Sequence, residues 1–339
     1  MTRVLCLTVS ILAILPLGAV RAQSSRDISF DVSLRQTGKA TIHARVEDNP
    51  SGRGAATILA VHGLTATGAT FGPLADAIFA DTNLSRVVRR MIWIDMPGHG
   101  ESSFPTLPAP TRFSDLLIED NVQVLIQSID ALRARRLAAN VILGHSMGGL
   151  AIQAAQEALL AQGSSLARHG ISAAILLSAV PARGSVWTMP PLGDLSAFIV
   201  TSDTALGPYL DLPPGFGPVF TTLSGAVVPN APTPEEVLAN DWIAIEPLTT
   251  LLELTGTSAP LWRPQVRSKA FSVDKGTLLS VISFSQDILT PAVDQDDLYA
   301  YLTGASGPGY RVVVADDAVH GMYLSNPQGL LGALLAGLR

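Results

Sequence analysis

Apolar and polar positions along this chain repeat with two different periods. In residues 28–34 and 40–47 they alternate one by one, which predicts two strands joined by a turn at Gly38. Residues 55–63 are almost continuously apolar, as in a buried parallel strand. Residues 71–81 carry apolar positions at helical spacing and predict the first helix.

The alternation of strand and helix then continues to the end of the chain. The remaining predicted strands are 88–94, 140–146, 171–181, 277–287 and 310–318. The remaining predicted helices are 114–136, capped by Ser114, then 147–162, a helix that opens at Pro291, and 326–338. Alternating strands and helices predict an α/β fold with a parallel sheet, which binds ligands at the carboxyl ends of its strands.

One long segment, residues 185–275, interrupts the alternation with proline-rich sequence and short helical pieces. We interpret it as a cap inserted between two parts of one core, residues 23–184 and 276–339. The aromatic residues of this segment either form a small core of the cap itself or line an apolar pocket. Among these residues are Trp187, Phe198, Tyr209, Phe216, Phe220, Trp242 and Trp262.

Residues 1–22 have the layout of a secretory signal peptide. An early arginine, Arg3, precedes an apolar run from Val4 to about Leu17, and Val20-Arg21-Ala22 forms a cleavage site. An uncleaved anchor is the alternative, but the apolar run is short for a membrane span. We therefore expect export to the periplasm or the medium, without a stable membrane anchor after cleavage.

Composition narrows the possible chemistry. The 339 residues are 47% hydrophobic and 15% charged, which excludes a disordered chain. The only cysteine, Cys6, lies in the signal segment, so the mature chain has no disulfide and no thiolate site. The net charge of −6 and the absence of a basic run argue against a nucleic-acid partner. No motif implies a metal or an organic cofactor.

Ser146 stands between a predicted strand and a predicted helix, within Gly-His-Ser-Met-Gly. This G-x-S-x-G pattern forms a nucleophile elbow when a strand precedes it and a helix follows it. Gly144 and Gly148 are needed because side chains there would clash where the chain folds back on itself. The helix N-terminus behind the serine supplies free N–H groups and the positive end of a dipole.

A serine hydroxyl is a weak nucleophile without a base. Of the six histidines, His320 is the best candidate base, because it follows the last strand. Asp287 follows the preceding strand and can orient the imidazole, which gives the order Ser…Asp…His. The rival acids are Asp294, Asp296 and Asp297, expected to be exposed helix charges, and Asp316 and Asp317, too close to His320 in sequence.

Acyl transfer also needs donors for the oxyanion. We expect one from the backbone N–H of Met147 and the other from the loop after the first buried strand, at Leu64, with Thr65 as the alternate. His62 and His145 are expected to be structural residues of the loop and the elbow.

Five motifs, in order, resemble the α/β-hydrolase superfamily in its capped esterase, lipase and C–C-hydrolase branch. They are VHGLTATGATF, IDMPGHGESS, LGHSMGGLAI, SQDILTP and AVHGMY, and the resemblance covers about residues 40–335. It implies an eight-stranded, mostly parallel sheet with helices on both faces and a helical cap after strand six. It also implies that His99 is a structural loop residue, which can approach the pocket.

The nucleophile restricts the reactions that the resemblance implies. Epoxide hydrolases and haloalkane dehalogenases of this fold use an aspartate where this chain has Ser146, whereas serine makes an acyl-enzyme. Together with export, this favours a carboxylic ester hydrolase acting on a small, apolar ester. A C–C hydrolase, a perhydrolase, an amidase or peptidase, and a binding protein without activity are the alternatives left open.

Overall fold

The computed structural model describes eleven segments of the chain. They are residues 24–34, 38–64, 66–106, 118–182, 217–220, 222–224, 226–242, 266–273, 276–304, 309–314 and 318–338. The predicted signal peptide lies outside the described residues, as does most of the predicted cap. So do several individually predicted residues: Thr65, Ser114, Trp187, Phe198, Tyr209, Phe216, Trp262, Asp316 and Asp317.

Eight strands form one sheet in the order β1-β2-β4-β3-β5-β6-β7-β8. The strands are β1 Ser24–Ser33, β2 Lys39–Asp48, β3 Ala56–Val61, β4 Val88–Ile94, β5 Val141–His145, β6 Ala173–Leu177, β7 Leu278–Phe284 and β8 Gly309–Val314. Strand β2 pairs antiparallel with β1 and β4, and the remaining pairs are parallel. The predicted α/β-hydrolase fold, with an eight-stranded and mostly parallel sheet, is confirmed.

Helices cover both faces of this sheet. They are α1 Gly72–Ala80, α2 Leu84–Val87, α3 Ile118–Ala134, α4 Met147–Ala161, α5 Pro234–Ala239, α6 Ala292–Thr303, α7 Met322–Ser325 and α8 Pro327–Gly337. Side chains of a strand point alternately to the two faces. On β3, Leu59 and Val61 pack in the cluster that contains α3, α4 and α6, whereas Ile58 and Ala60 pack with α1 and α8.

Three aromatic residues of the predicted cap, Phe220, Trp242 and Phe271, lie in the described part of the chain, and all of them pack on the core. Phe220 is fully buried, and Trp242 is partly buried against the same cluster. The backbone N–H of Gly321 donates to the carbonyl of Val219 at 2.7 Å, which fixes the segment before Phe220 beside α7. The cap boundaries remain a prediction.

The expectation that all three aspartates of α6 are exposed is wrong for Asp294. Its exposed fraction is 2%, because it shares one helix face with the buried residues Leu298 and Leu302, four and eight positions later. Asp297 is half-buried, and Asp296 is exposed and pairs with Arg311 at 2.7 Å.

Among the described helices, none is both long and apolar enough to span a membrane.

His43 on β2 is surrounded by three carboxylates, one from β1 and two from the loop after β4. Its Nδ1 lies 2.8 Å from Oδ2 of Asp95, and its Nε2 lies 3.2 Å from Asp27 and 3.6 Å from Glu101. The hydrogen bond to Asp95 raises the pKa of His43 above its usual value; burial lowers it, but the charges of Asp95 and Glu101 raise it further. Because both nitrogens face carboxylates, the imidazolium form is the one that joins β1, β2 and the loop after β4.

We predict that replacement of His43 destabilises the protein more at acidic than at alkaline pH. The pKa is raised on folding, so the stabilisation is fully present below the unfolded value of about 6.5 and is lost as pH rises through the folded pKa. His43→Gln should therefore lower the urea midpoint more at pH 5.5 than at pH 9, measured against wild type at each pH.

His169→Gln is the matched control for this comparison. The side chain of His169 bonds through Nδ1 to an exposed Asp130 at 3.0 Å, and exposed ion pairs contribute little to stability. Its effect should be small at both pH values. A His43→Gln effect that does not change with pH would contradict the prediction.

Candidate active site

Ser146 sits at a sharp turn between β5 and α4, in a backbone conformation that few residues other than glycine adopt. Its φ is 51° and its ψ is −117°. Its N–H donates to the carbonyl of Leu177 at 3.1 Å, and its own carbonyl accepts from Gly149 and Val180. These bonds to β6 and α4 hold the strained turn, as strained residues at functional sites require.

The glycines predicted around Ser146 make the close approach of strand and helix possible. A Cβ on Gly148 would lie 2.2 Å from the carbonyl oxygen of Val61 at the end of β3. A Cβ on Gly144 would lie 2.6 Å from the backbone of Gly148. Both contacts are with backbone atoms, which no side-chain rotation can move away. The first turn of α4 therefore lies directly against the carboxyl end of β3.

The structure brings Asp287 and His320 together, as the sequence predicted. Asp287 lies in the loop after β7 and His320 in the loop before α7, and Oδ2 of the aspartate is 2.8 Å from Nδ1 of the histidine. Both side chains are buried. Nδ1 of His320 donates to the carboxylate. In the neutral ring Nε2 therefore carries no proton and is the basic nitrogen.

The Asp287 carboxylate is buried yet stays ionised. Burial by itself raises the pKa of this carboxyl. The charge of His320 and the hydrogen bonds from His320, Ser178 and Thr290 outweigh that effect, so the pKa lies below its usual value. A carboxylate in this state can fix the His320 ring and stabilise the imidazolium that forms when it takes a proton.

His145, the residue before Ser146, packs directly against His320. Its ring lies 4.5 Å from the His320 ring and 4.4 Å from that of Tyr323, and its Nε2–H donates to the His320 carbonyl at 3.0 Å. Burial lowers the pKa of His145 well below its usual value, and His320 lowers it further. His145 is therefore a neutral residue that joins the elbow to the histidine loop, as the structural interpretation expected.

The two predicted oxyanion donors, Met147 and Leu64, belong to the two segments that meet at the serine. Met147 is the first residue of α4, where a backbone N–H has no partner in the preceding turn. Leu64 follows Gly63, which is so close to Ser146 that an added Cβ would be 3.0 Å from the serine Cβ. The loop after β3 therefore runs beside the nucleophile.

Other side chains hold this loop in place. Nδ1–H of His62 donates to the carbonyl of Gly63 at 2.8 Å, and Nε2 accepts from the N–H of Met96 at 3.0 Å. Asp95 accepts from the N–H of Gly68 at 2.7 Å. Both ring nitrogens of His62 have structural partners, in agreement with its expected role. His99 contributes its ring, 4.8 Å from that of His62.

Two residues of this site, Ser178 and Thr290, were not predicted from the sequence. Each places its hydroxyl against Oδ2 of Asp287, at 2.7 Å and 2.8 Å. Two signals could have revealed them. Ser178 directly follows β6, the strand beside β7, and Thr290 lies three residues after an aspartate, the spacing at which aspartates bond to their own loop.

Comparison with known proteins identifies the family. The Alpha/beta hydrolase family matches residues 58–333, most of the chain, which therefore belongs to this family. No curated protein gives a significant sequence match.

Solved structures of low sequence identity share the fold. The 2-hydroxy-6-oxo-6-phenylhexa-2,4-dienoate hydrolase of Rhodococcus sp. strain RHA1 has a TM-score of 0.63 and 19% identity, covering 93% of this chain and 100% of that one. An esterase from Thermogutta terrifontis has a TM-score of 0.58 and 16% identity, covering 92% and 98%. A bromoperoxidase from Bacillus anthracis has a TM-score of 0.58 and 14% identity, covering 92% and 99%. At such identities the likeness shows the fold alone.

We predict that Gly148→Ala moves α4 away from β3 and disables the site. The new Cβ would overlap the backbone of Val61 and His62, which costs about 2–3 kcal/mol in a packed interior. The free energy of unfolding, from urea titration, should fall by that amount, and the reactivity of Ser146 should fall with it.

Gly332→Ala in α8 is the matched control, because nothing lies within 4 Å of a Cβ at that exposed helical position. It should leave stability unchanged or raise it by up to about 1 kcal/mol, since alanine favours helices. Equal stability of the two variants would contradict the close approach at Gly148.

Proposed function

We propose that this member of the Alpha/beta hydrolase family is a serine hydrolase that cleaves carboxylic esters through an acyl-enzyme on Ser146. The observation that carries the proposal is the strained turn at Ser146, whose preceding residue His145 bonds to the His320 carbonyl at 3.0 Å, together with the buried Asp287–His320 pair joined at 2.8 Å. A structural serine needs neither a positive φ nor an ionised carboxylate behind a neighbouring histidine.

The first half of the proposed reaction forms the acyl-enzyme. Oγ of Ser146 attacks the ester carbonyl carbon while Nε2 of His320 takes its proton. The backbone N–H groups of Met147 and Leu64 bind the negative carbonyl oxygen of the tetrahedral intermediate. As that intermediate collapses, the carbon–oxygen bond to the alcohol breaks, and the His320 imidazolium gives its proton to the leaving alkoxide.

The second half regenerates the enzyme. Water attacks the acyl carbon, His320 takes a proton from it, and the bond to Oγ of Ser146 breaks as that oxygen regains a proton. Throughout both halves Asp287 stays ionised and holds the Nδ1 proton of His320, so the ring exchanges protons only through Nε2. The reaction needs no electron transfer and no group other than these residues and water.

The proposed substrate is a small, apolar ester met outside the cytoplasm. Its apolar character is inferred from the aromatic residues of the predicted cap, and the location from the predicted signal peptide. Cleavage after Ala22 would leave every described element intact, because the first of them, β1, begins at Ser24. We propose no nucleic-acid partner.

We predict that the mature chain, starting at Gln23, reacts with a fluorophosphonate and hydrolyses p-nitrophenyl esters. Ser146→Ala should abolish both reactions and leave the fold intact, because the loss of the nucleophile leaves only the contribution of binding and the oxyanion donors. Mass spectrometry of the labelled chain and initial rates over acyl chains from acetyl to palmitoyl measure the two reactions.

Ser128→Ala is the matched control for serine replacement. Ser128 is fully buried in α3, and its hydroxyl has no hydrogen-bond partner among the described residues. Its loss should change neither reaction. Retained turnover in Ser146→Ala would refute the proposal.

The same assay separates the other candidate functions. A labelled Ser146 without ester turnover would point to C–C or amide substrates, tested on β-diketone and amide panels. A chain that is folded but not labelled would favour a binding protein.

A further inference from the structure

Asp287 is held by more than its histidine. His320 donates to Oδ2 at 2.8 Å, and the backbone N–H groups of Leu289 and Thr290 donate to Oδ1 at 2.8 Å and 2.9 Å. The hydroxyls of Ser178 and Thr290 then approach Oδ2 at 2.7 Å and 2.8 Å. Each donor lies in a loop at the carboxyl edge of the sheet.

Ser178 holds this position at an energetic cost. It is fully buried and has a φ of 43°, a conformation that a glycine adopts with less strain. Its N–H donates to the carbonyl of Ile282 on β7 at 2.8 Å, and its carbonyl lies 3.1 Å from Oγ1 of Thr290. These bonds fix the serine so that its hydroxyl points at the carboxylate.

We propose that Ser178 and Thr290 are positioning residues of the reaction, whose hydroxyls hold the Asp287 carboxylate in the orientation that accepts the Nδ1 proton of His320. This inference rests on the proposed function. It gives Ser178, which directly follows β6, a direct role in holding the Asp287–His320 pair.

The two hydroxyls do not contribute equally. Each has one proton to donate. The Thr290 hydroxyl has two acceptors in reach, Oδ2 of Asp287 and the Ser178 carbonyl, whereas the Ser178 hydroxyl has the carboxylate at 2.7 Å. Ser178 therefore has the larger expected effect.

Loss of a donor changes the proton affinity of the pair in a definite direction. With fewer hydrogen bonds, the carboxylate attracts a proton more strongly, whether that proton sits on Asp287 or on His320. His320 is the titratable group that faces the carboxylate, and His145 is the one that packs on His320; burial keeps the pKa of His145 low, so it stays neutral. The apparent pKa of the pair must rise when a hydroxyl is removed.

The experiment measures the rate constant for reaction of Ser146 with a fluorophosphonate as a function of pH, which needs no knowledge of the substrate. Reaction requires neutral His320, so the rate constant falls on the acidic side of the pH profile. This acid limb of the profile reports the protonation of the Asp287–His320 pair. Ser178→Ala should move the acid limb up by about 0.5–1 pH unit and lower the plateau rate about three- to tenfold. Thr290→Val should move it in the same direction by less.

Conservative variants separate positioning from a merely structural role. Ser178→Gly relieves the positive φ but also lacks the hydroxyl, so its acid limb should move as far as that of Ser178→Ala. Thr290→Ser keeps a hydroxyl and should retain the wild-type limb. Ser128→Ala, the buried serine of α3, should leave the profile unchanged.

Each outcome decides the inference. Plateau rates that fall without movement of the acid limb, or a Ser178→Gly variant with the wild-type limb, would overturn it. If the Ser178 variants do not fold, the comparison of Thr290→Val with Thr290→Ser tests the same hydroxyl contact, and identical limbs would overturn it. A wild-type chain that does not react with the probe refutes the proposed function itself, and this inference with it.

Discussion

The site depends on the close contact between the first turn of α4 and the strand ends beside it. Because Gly148 lies against the Val61 carbonyl, the helix N-terminus reaches the edge of the sheet where Ser146 turns. Met147 N–H, the loop after β3 and the serine hydroxyl are brought together by this one contact. A shift of the helix by the width of a methyl group would separate them, so the packing of the core and the geometry of the site are set by the same atoms.

Burial of Asp287 is the second constraint, and it connects the remaining loops. A buried carboxylate without partners would lose its charge, because desolvation penalises the ionised form. Here the donors come from three places: Ser178 after β6, the loop of Thr290 after β7, and His320 before α7. The need to satisfy one carboxylate therefore fixes the relative positions of three loops that have no strand pairing with one another.

Much of the fold could be predicted because burial repeats with the period of each element. The continuous apolar run at 55–63 became β3, and the described part of the amphipathic run at 114–136 lies in α3 up to Ala134. Asp287 and His320 could be predicted because strand order places their loops at one edge. Ser178 was harder to predict, since its partner lies 109 positions away and the contact can be inferred only once β6 and β7 are placed side by side. Asp294 was misplaced because the apolar residues that bury its helix face lie later in α6.

The histidines show why residue type and position in the sequence are insufficient to assign chemistry. His62, His145 and His320 all lie at the carboxyl edge of the sheet, yet their ring nitrogens face different groups. Those of His62 bond to Gly63 and Met96, and His145 gives its Nε2–H to the His320 carbonyl. Such backbone partners favour a neutral ring with one fixed tautomer, which suits a histidine that holds a loop in place. His320 instead directs Nδ1 at an ionised carboxylate, and that partner stabilises the ring when it gains a proton. The group that a histidine's ring nitrogens face thus decides which histidine suits the part of the base in the proposed reaction.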